Sequence, residues 1–348
     1  MQLTLEPVRV PLAAPFTAAH GAVDERELLL VTLRAADGAT GYGEAAPLPS
    51  YDGVRLEQVT AALEACRPIL AQADREPPPQ VLARCAEVVL LAPALAALDL
   101  ALWDMAGRRL GVPAWSLLGS PPGPPEPVRV NFTITAADRS GAVAQAAEAR
   151  AAGFTTVKAK VAIGDDHGRL AAIRAFAGPD MRIRIDANGA WTPAQAHVAL
   201  RSLEPVGIEL CEEPVRGVAA VRALHGISEI PLALDESAAD PRALDAPACE
   251  LMCLKISRCG GLQGLLETAR RARATGYEVF LASTLDGPLG IAAALHAAAL
   301  LGPARDAGLA TLGQFRRPDP LPPVAGRIAL PAGPGLGDGL LDWYRPAG

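Results

Sequence analysis

Six seven-residue runs between Thr155 and Thr284 share one pattern: an apolar stretch that ends in a charged or polar residue. They read TTVKAKV, RIRIDAN, IELCEEP, PLALDES, LMCLKIS and EVFLAST. Their terminal residues of interest are Lys160, Asp186, Glu212, Asp235, Lys255 and Ser283, spaced by 26, 26, 23, 20 and 28 residues. One strand, one helix and their loops occupy about that much chain, so the series predicts a (β/α) barrel whose strand ends converge on one face. A strand VRVNFTIT from Val128, with an alanine-rich helix to Ala152, precedes the series. GLATLG, Gly308 to Gly313, supplies an eighth short strand.

The first 120 residues lack this rhythm. LTLEPVRVPL, ELLLVTLRAADG and ATGYGEAAPL alternate as strands, with Asp37-Gly38 as the turn between the last two, which predicts a meander. Helical patterns follow at 56–70, 79–91 and 93–107. The proline-rich SPPGPPEP, Ser120 to Pro127, reads as a linker. We therefore expect an α+β domain over 1–120 and a barrel over 128–317. The Pro- and Gly-rich tail from about 318 to 348 is expected to return to the first domain, because Ile328, Leu330 and Trp343 need burial.

Half of the 348 residues are hydrophobic, enough for a sizeable core. A net charge of −6 without a lysine or arginine block gives no support to nucleic-acid binding, so no nucleic-acid partner is expected. No apolar run reaches 18 residues, since Pro93 and Asp99 interrupt LLAPALAALDLALW, so no membrane span is expected. MQLTLEPVRVPL lacks the pattern of a secretory signal. Six cysteines without a CxxC pair are expected as reduced thiols of a cytoplasmic protein. The helices permit a homo-oligomer without requiring one.

Chemistry concentrates at the strand ends. Residues i and i+2 of a strand share a face, which pairs Lys158 with Lys160 and Asp186 with Asn188. A lone KxK is ordinarily a solvated strand end, but here it opens a series of acids. Asp186, Glu212 and Asp235 end three adjacent strands, and three converging carboxylates suit Mg²⁺ or Mn²⁺. The bland alternative, that each acid caps the next helix, weakens when three successive units repeat it. Glu213 and Glu236 directly follow two of these acids and are expected on the opposite face, not as equal ligands. Lysines beside a cation fit removal of a proton alpha to a carboxylate. Lys160 and Lys255, on opposite sides of the ring, would address opposite faces of one carbon.

Competing motifs are weak. GYGEAA, Gly41 to Ala46, matches a dinucleotide fingerprint only formally, because Pro47 and Pro49 forbid the helix that must follow. The histidines lack metal-ligand spacing. His296 is expected in the core, whereas His20 lies in a loop that could reach the barrel mouth.

With GYGEAAPLP, AALDLALWDMAGRRLGVPAWSLLG, KAK, DANGAW, EEP, DES, KISRCGG and STLDGPLGIAAALH together, the chain resembles the enolase superfamily, in its muconate lactonizing enzyme subgroup. The resemblance covers almost the whole chain. It implies an α/β fold, a modified (β/α)₇β TIM barrel with an N-terminal α+β capping domain. It also implies Mg²⁺ on Asp186, Glu212 and Asp235 and acid/base roles for Lys160 and Lys255, acting on a small-molecule carboxylate. Lys158, Arg184, Asn188, Glu236, Ser283 and His20 are expected to support or contact the substrate. Dipeptide epimerases of this subgroup usually carry Asp-x-Asp where this chain has Gly308-Leu309-Ala310-Thr311. That stretch, PLPSYDG and Arg184 resemble o-succinylbenzoate synthases, so dehydration in menaquinone synthesis is the leading expectation. The alternatives are 1,1-proton transfer on N-succinylamino acids or dipeptides, and muconate-type cycloisomerisation. The intact lysines and acids argue against a barrel that only binds.

Overall fold

The computed structural model of the protein describes residues 1–18, 21–119 and 125–345. Three antiparallel strands open the chain, β1 (Gln2–Ala18), β2 (Gly21–Arg34) and β3 (Thr40–Ala45), hydrogen-bonded in that order. The β2–β3 turn forms at Asp37-Gly38: Gly38 has φ +86°, and the Asp37 carboxylate accepts from Ala39 N at 3.0 Å. Five helices follow, α1 (Pro49–Asp52), α2 (Leu56–Ala65), α3 (Arg67–Gln72), α4 (Pro78–Ala86) and α5 (Ala92–Leu110). The single helix expected over 56–70 breaks at Cys66, because Pro68 tolerates only the first turn of a new helix. Leu29, Val31 and Leu33 of β2 pack with Leu63, Leu98 and Leu102 of these helices, while Leu28 joins the barrel-side core. Gly41 and Gly43 let α5 lie on β3, since a Cβ at either would strike the α5 backbone. A short α6 (Ala114–Leu117) ends this part; residues 120–124 of the expected linker lie outside the described residues.

The barrel half runs β4 (Val128–Arg129), β5 (Phe132–Ile134), α7 (Arg139–Ala151), β6 (Thr156–Lys160), α8 (Asp166–Ala177), β7 (Arg182–Asp186), α9 (Pro193–Leu203), β8 (Ile208–Glu212) and α10 (Val218–Leu224). It continues with β9 (Leu232–Leu234), β10 (Leu251–Lys255), α11 (Leu262–Thr275), β11 (Glu278–Ala282) and α12 (Pro288–Leu301). Strands β5 to β11 form one parallel sheet in sequence order. Ala307 and Gly308 close it into a ring: Asn131 N donates to Ala307 O at 2.9 Å, and Gly308 N to Leu281 O at 2.7 Å. The eighth strand expected at Gly308–Gly313 is therefore only this link, and Leu312–Gln314 is a 3₁₀ turn. Between β9 and β10 the expected helix is replaced by 3₁₀ turns at Glu236–Ala239 and Pro241–Leu244, since Pro241 ends what Glu236 begins.

Leu210, Ala233, Leu251, Cys253, Phe280 and Ala282 fill the barrel interior. The tail contacts both halves. Ile328, in β12 (Arg327–Ile328), pairs with Val128 of β4. Leu336 N donates to Asp104 of α5 at 2.8 Å, Tyr344 donates to Glu44 of β3, and Trp343 meets Phe315 edge-on at 5.1 Å. No helix among the described residues is long and apolar enough to cross a membrane. All six cysteines are free.

Candidate active site

Lys160, Asp186 and Glu212 are direct cross-strand neighbours at the ends of β6, β7 and β8. Asp235 follows β9 and Lys255 ends β10. Counting the Ala307–Gly308 link as the eighth stave, the three acids hold staves three to five and the lysines hold staves two and six. The lysines therefore face each other across the ring. Asp186, Glu212 and Asp235 are all buried. Two left-handed residues shape these ends, Asn188 at φ +45° and Glu213 at φ +36°, a conformation uncommon outside glycine and frequent at functional sites.

The polar groups form one connected network. Lys158 Nζ lies 2.8 Å from Asp186 Oδ2 and 2.6 Å from Glu212 Oε2. Lys160 Nζ reaches Asp186 Oδ2 at 2.8 Å and donates to Asn188 Oδ1 at 2.7 Å. Lys255 Nζ pairs with Asp235 Oδ2 at 2.8 Å and donates to Tyr51 Oη at 2.9 Å, with the ring centroid 4.2 Å away. Tyr51 in turn donates to Asp235 Oδ1 at 2.7 Å. Asn188 Nδ2 donates to Glu236 Oε1 at 3.0 Å. Glu213 points elsewhere and accepts from Asp235 N and Ser237 N, at 2.8 and 3.2 Å. The Asp235 side chain makes no helix-capping bond, so capping does not account for it.

Charge balance follows burial. Desolvation opposes the Asp186 charge, but Lys158 and then Lys160 outweigh it and hold the carboxyl below the ordinary range. Asp235 is lowered likewise, burial being overcome by Lys255. Burial raises Glu212, with Lys158 opposing and Asp186 reinforcing the rise. Desolvation would strip Lys158 and Lys255 of their protons, yet the acids keep both protonated, above the usual lysine value. Burial, helped by Glu236, pushes Glu213 up to about 8.

Glu212, Asp235 and Cys253 bring ligand atoms within 4.8 Å of one another, all buried. Cys253 packs with Leu210, Ala233 and Phe280 in the barrel interior, whereas Glu212 and Asp235 join Asp186 in the lysine-linked network of acids, an oxygen-only donor set. Such a set fits a hard divalent cation, Mg²⁺ or Mn²⁺. Asp186, Glu212 and Asp235 are the residues that would hold it.

Above the network opens a cleft continuous with solvent, about 780 Å³ when the open space at its mouth is counted. Its barrel wall includes Lys158, Lys160, Asp186, Asn188, Lys255 and Ser283; Val23, Leu48, Ser50 and Tyr51 come from the N-terminal layer. Ser283 Oγ lies 2.9 Å from Thr311 Oγ1. Arg184 is not part of this wall. It shares the Asp186 face but sits deeper, bonding Glu209 at 2.7 Å and lying 5.3 Å from the Phe280 ring centroid, so the expected substrate contact gives way to a place in the barrel floor. His20 lies outside the described residues. His296 is buried and its ring is lowered to about 4 by desolvation, as a core histidine is. Sequence reasoning missed Tyr51, Asn131, Thr133 and Gln314. Asn131 and Thr133 left a signal, polar residues inside the apolar run VRVNFTIT; Tyr51 lies within the PLPSYDG stretch, which carried part of the resemblance without singling it out.

Residues 141–341 match the family described as "Enolase C-terminal domain-like", and residues 1–119 match "Mandelate racemase / muconate lactonizing enzyme, N-terminal domain". The chain belongs to the enolase superfamily, in its muconate lactonizing enzyme subgroup. Among relatives, it is 30% identical to the L-Ala-D/L-Glu epimerase of Bacillus subtilis (strain 168), over 84% of this chain and 82% of that one. Identity is also 30% to muconate cycloisomerase 1 of Rhodococcus opacus, over 97% and 96%, and 26% to an N-succinyl-L-Arg/Lys racemase of Bacillus cereus, over 84% and 81%. A dipeptide epimerase from Cytophaga hutchinsonii, solved with Mg and the dipeptide D-Ala-L-Val, superposes with a TM-score of 0.86 at 26% identity, covering 98% of this chain and 97% of that one. The superfamily's two-part fold, a cap on a parallel barrel, is thus shared along the chain's length, and Mg²⁺ is the expected metal.

Proposed function

We propose that this enzyme racemises or epimerises an N-acylated amino acid by 1,1-proton transfer at the carbon alpha to the carboxylate. The observation that carries this reading is the placement of Lys160 and Lys255 on staves two and six, with the three acids between them. A substrate carboxylate seated over those acids presents its alpha carbon between two lysine Nζ atoms. A bound divalent cation would supply positive charge to the substrate's carboxylate oxygens. The lysine acting as base, which would be neutral once a bound cation offset the acids that otherwise hold it protonated, takes the alpha proton as the C–H bond breaks and its own N–H bond forms. The opposite ammonium then gives its proton to the other face, so charge and proton count are unchanged and configuration inverts. Tyr51 and Asp235 orient the Lys255 ammonium; Asp186 and Asn188 orient Lys160.

An N-acyl group is favoured over a free ammonium by the cleft wall. Asp186, already paired with two lysines, is the one carboxylate lining the cleft among the described residues. Ser283, Thr284, Thr311 and Gln314 offer neutral hydrogen-bonding groups instead. The dehydration expected from Gly308–Thr311 uses the same lysines and acids, but the relatives above are named for isomerisations, which favours its alternative.

The test is incubation of single enantiomers of N-succinyl and N-acetyl amino acids with Mg²⁺ in D₂O, followed by NMR and chiral chromatography. Inversion with alpha-deuteration is expected, and it should disappear with EDTA. K160A and K255A should each abolish inversion while one still washes deuterium into one enantiomer. Rapid aromatisation of the cyclohexadiene hydroxy-acid precursor of o-succinylbenzoate, without inversion of any N-acyl amino acid, would overturn the proposal.

A further inference from the structure

Arg26 is among the most deeply buried large side chains of the protein, at 2% exposure, yet it touches neither the acids nor the lysines. It lies on β2, three residues beyond the cleft-lining Val23. Its guanidinium spreads over three main-chain carbonyls. Nη1 donates to Pro47 O at 2.7 Å, Nη2 to Ala46 O at 3.1 Å and Nε to Leu285 O at 3.3 Å. Ala46 and Pro47 lead into Leu48, Ser50 and Tyr51, which form the N-terminal wall of the cleft. Leu285 ends the run Ser283–Leu285 on the barrel wall and is held at φ +58°, a left-handed conformation that a leucine adopts only under outside constraint. Burial works against the guanidinium's charge, and the neighbouring carboxyls, Asp286 foremost, oppose that loss.

Burying a guanidinium is costly, and an apolar side chain would fill the same space without that cost. What an apolar residue cannot do is fix three carbonyls of two separate segments in one plane, which the rigid fork of arginine does. We propose that Arg26 is a positioning residue for substrate selection, setting the distance between the Leu48–Tyr51 wall and the Thr284–Leu285 wall of the cleft. The inference rests on the cleft assignment above and adds to it the element that fixes the cleft's width. The lysines stand on strand ends that Arg26 does not touch, and it reaches Lys255 only through the Tyr51 wall, so its loss should loosen substrate fit more than it slows proton transfer.

The experiment compares wild type, R26K and R26M. R26K keeps the charge facing Glu44 and Asp286 but replaces the fork with a single ammonium. Two readouts are taken: steady-state kinetics on N-acetyl, N-succinyl and N-benzoyl forms of one amino acid, and amide hydrogen exchange followed by mass spectrometry. For R26K we expect KM to rise about ten-fold and the preference among acyl groups to flatten, with kcat held within about three-fold. Amides of 46–52 and 284–287 should exchange faster, while those of the barrel floor near Arg184 and Glu209 stay unchanged. R26M should lose thermal stability as well, which separates the charge from the fork. A fall in kcat with KM and acyl preference intact, or unaltered exchange at both loops in R26K, would overturn the proposal. If the wild type inverts no N-acyl amino acid, the proposed reaction fails, and the exchange pattern alone then decides the role of Arg26.

Discussion

Lys158 offers a direct test of how the metal site is balanced. Its ammonium bridges two buried carboxylates, 2.8 Å from Asp186 and 2.6 Å from Glu212, and only 12% of the side chain is exposed. In K158M, Asp186 keeps Lys160 at 2.8 Å, so Glu212 is the anion left without a partner. Removing one member of a buried pair ordinarily costs about 3–5 kcal/mol. Proton uptake by Glu212, whose carboxyl burial already raises, should offset part of that as pH falls, so the measurement belongs on the alkaline side of neutral. A divalent cation replaces the missing charge without competing against an ammonium for the same oxygens. At a hundred-fold excess over its Kd, such binding stabilises the native state by about 2.7 kcal/mol. Urea unfolding followed by tryptophan fluorescence, in EDTA and in excess Mg²⁺ at matched ionic strength, reads both terms. K158M should lose stability in EDTA and regain more from Mg²⁺ than wild type does. Equal Mg²⁺ gains in the two proteins, or a variant as stable as wild type in EDTA, would refute the reasoning.

Two further outcomes follow from buried groups away from the cleft. Burial, reinforced by Asp286, pushes Glu44 up to about 8 against an ordinary value of 4.5. The native state therefore holds a proton that the unfolded chain has released between those values, and wild-type stability should fall as pH rises through that window. The slope is up to about 1.4 kcal/mol per pH unit, and E44Q should lack that contribution; parallel stability–pH curves for the two proteins would contradict it. R184M should destabilise the protein by less than the cost of a fully unpaired buried charge, about 3–5 kcal/mol, since Glu209 of the barrel floor keeps Arg305 at 3.1 Å. KM should not change, and a KM effect without a stability loss would return Arg184 to the cleft.

The strand ends were legible because their signal is local. An apolar run that stops at a polar residue, repeated at the length of one βα unit, specifies both the ring and the face on which the polar groups stand. Depth along that face is less visible. Arg184 and Asp186 obey the same i, i+2 rule, yet two residues separate them by about 6.7 Å along the strand. That step carries Arg184 out of the cleft and into the layer with Glu209. The rule names a side of the sheet, and only the stagger of neighbouring strands decides which layer is the floor and which the mouth. Closure of the ring was misread for a similar reason. Gly308–Gly313 has the composition of a strand, but the closing contacts are main-chain bonds of Ala307 and Gly308, which carry no side-chain signature.

The groups that set substrate fit are the ones the chain hides best. Tyr51 reaches Asp235 across 184 residues and Arg26 reaches Leu285 across 259. Neither belongs to a periodic pattern, because each is defined by the approach of one layer to the other. Lys160, Asp186, Glu212, Asp235 and Lys255, by contrast, stand at the ends of strands β6 to β10 and keep their relations through the ladder itself. Proton abstraction can therefore be read from strand ends, while the choice of carboxylate depends on how loops from two halves are held together. This division explains why dehydration and 1,1-proton transfer fit the same residues. It also locates the discriminating measurements at Arg26 and Leu285, where a change in cleft width should alter which substrate is accepted without touching the lysines, whereas Tyr51 also holds Lys255.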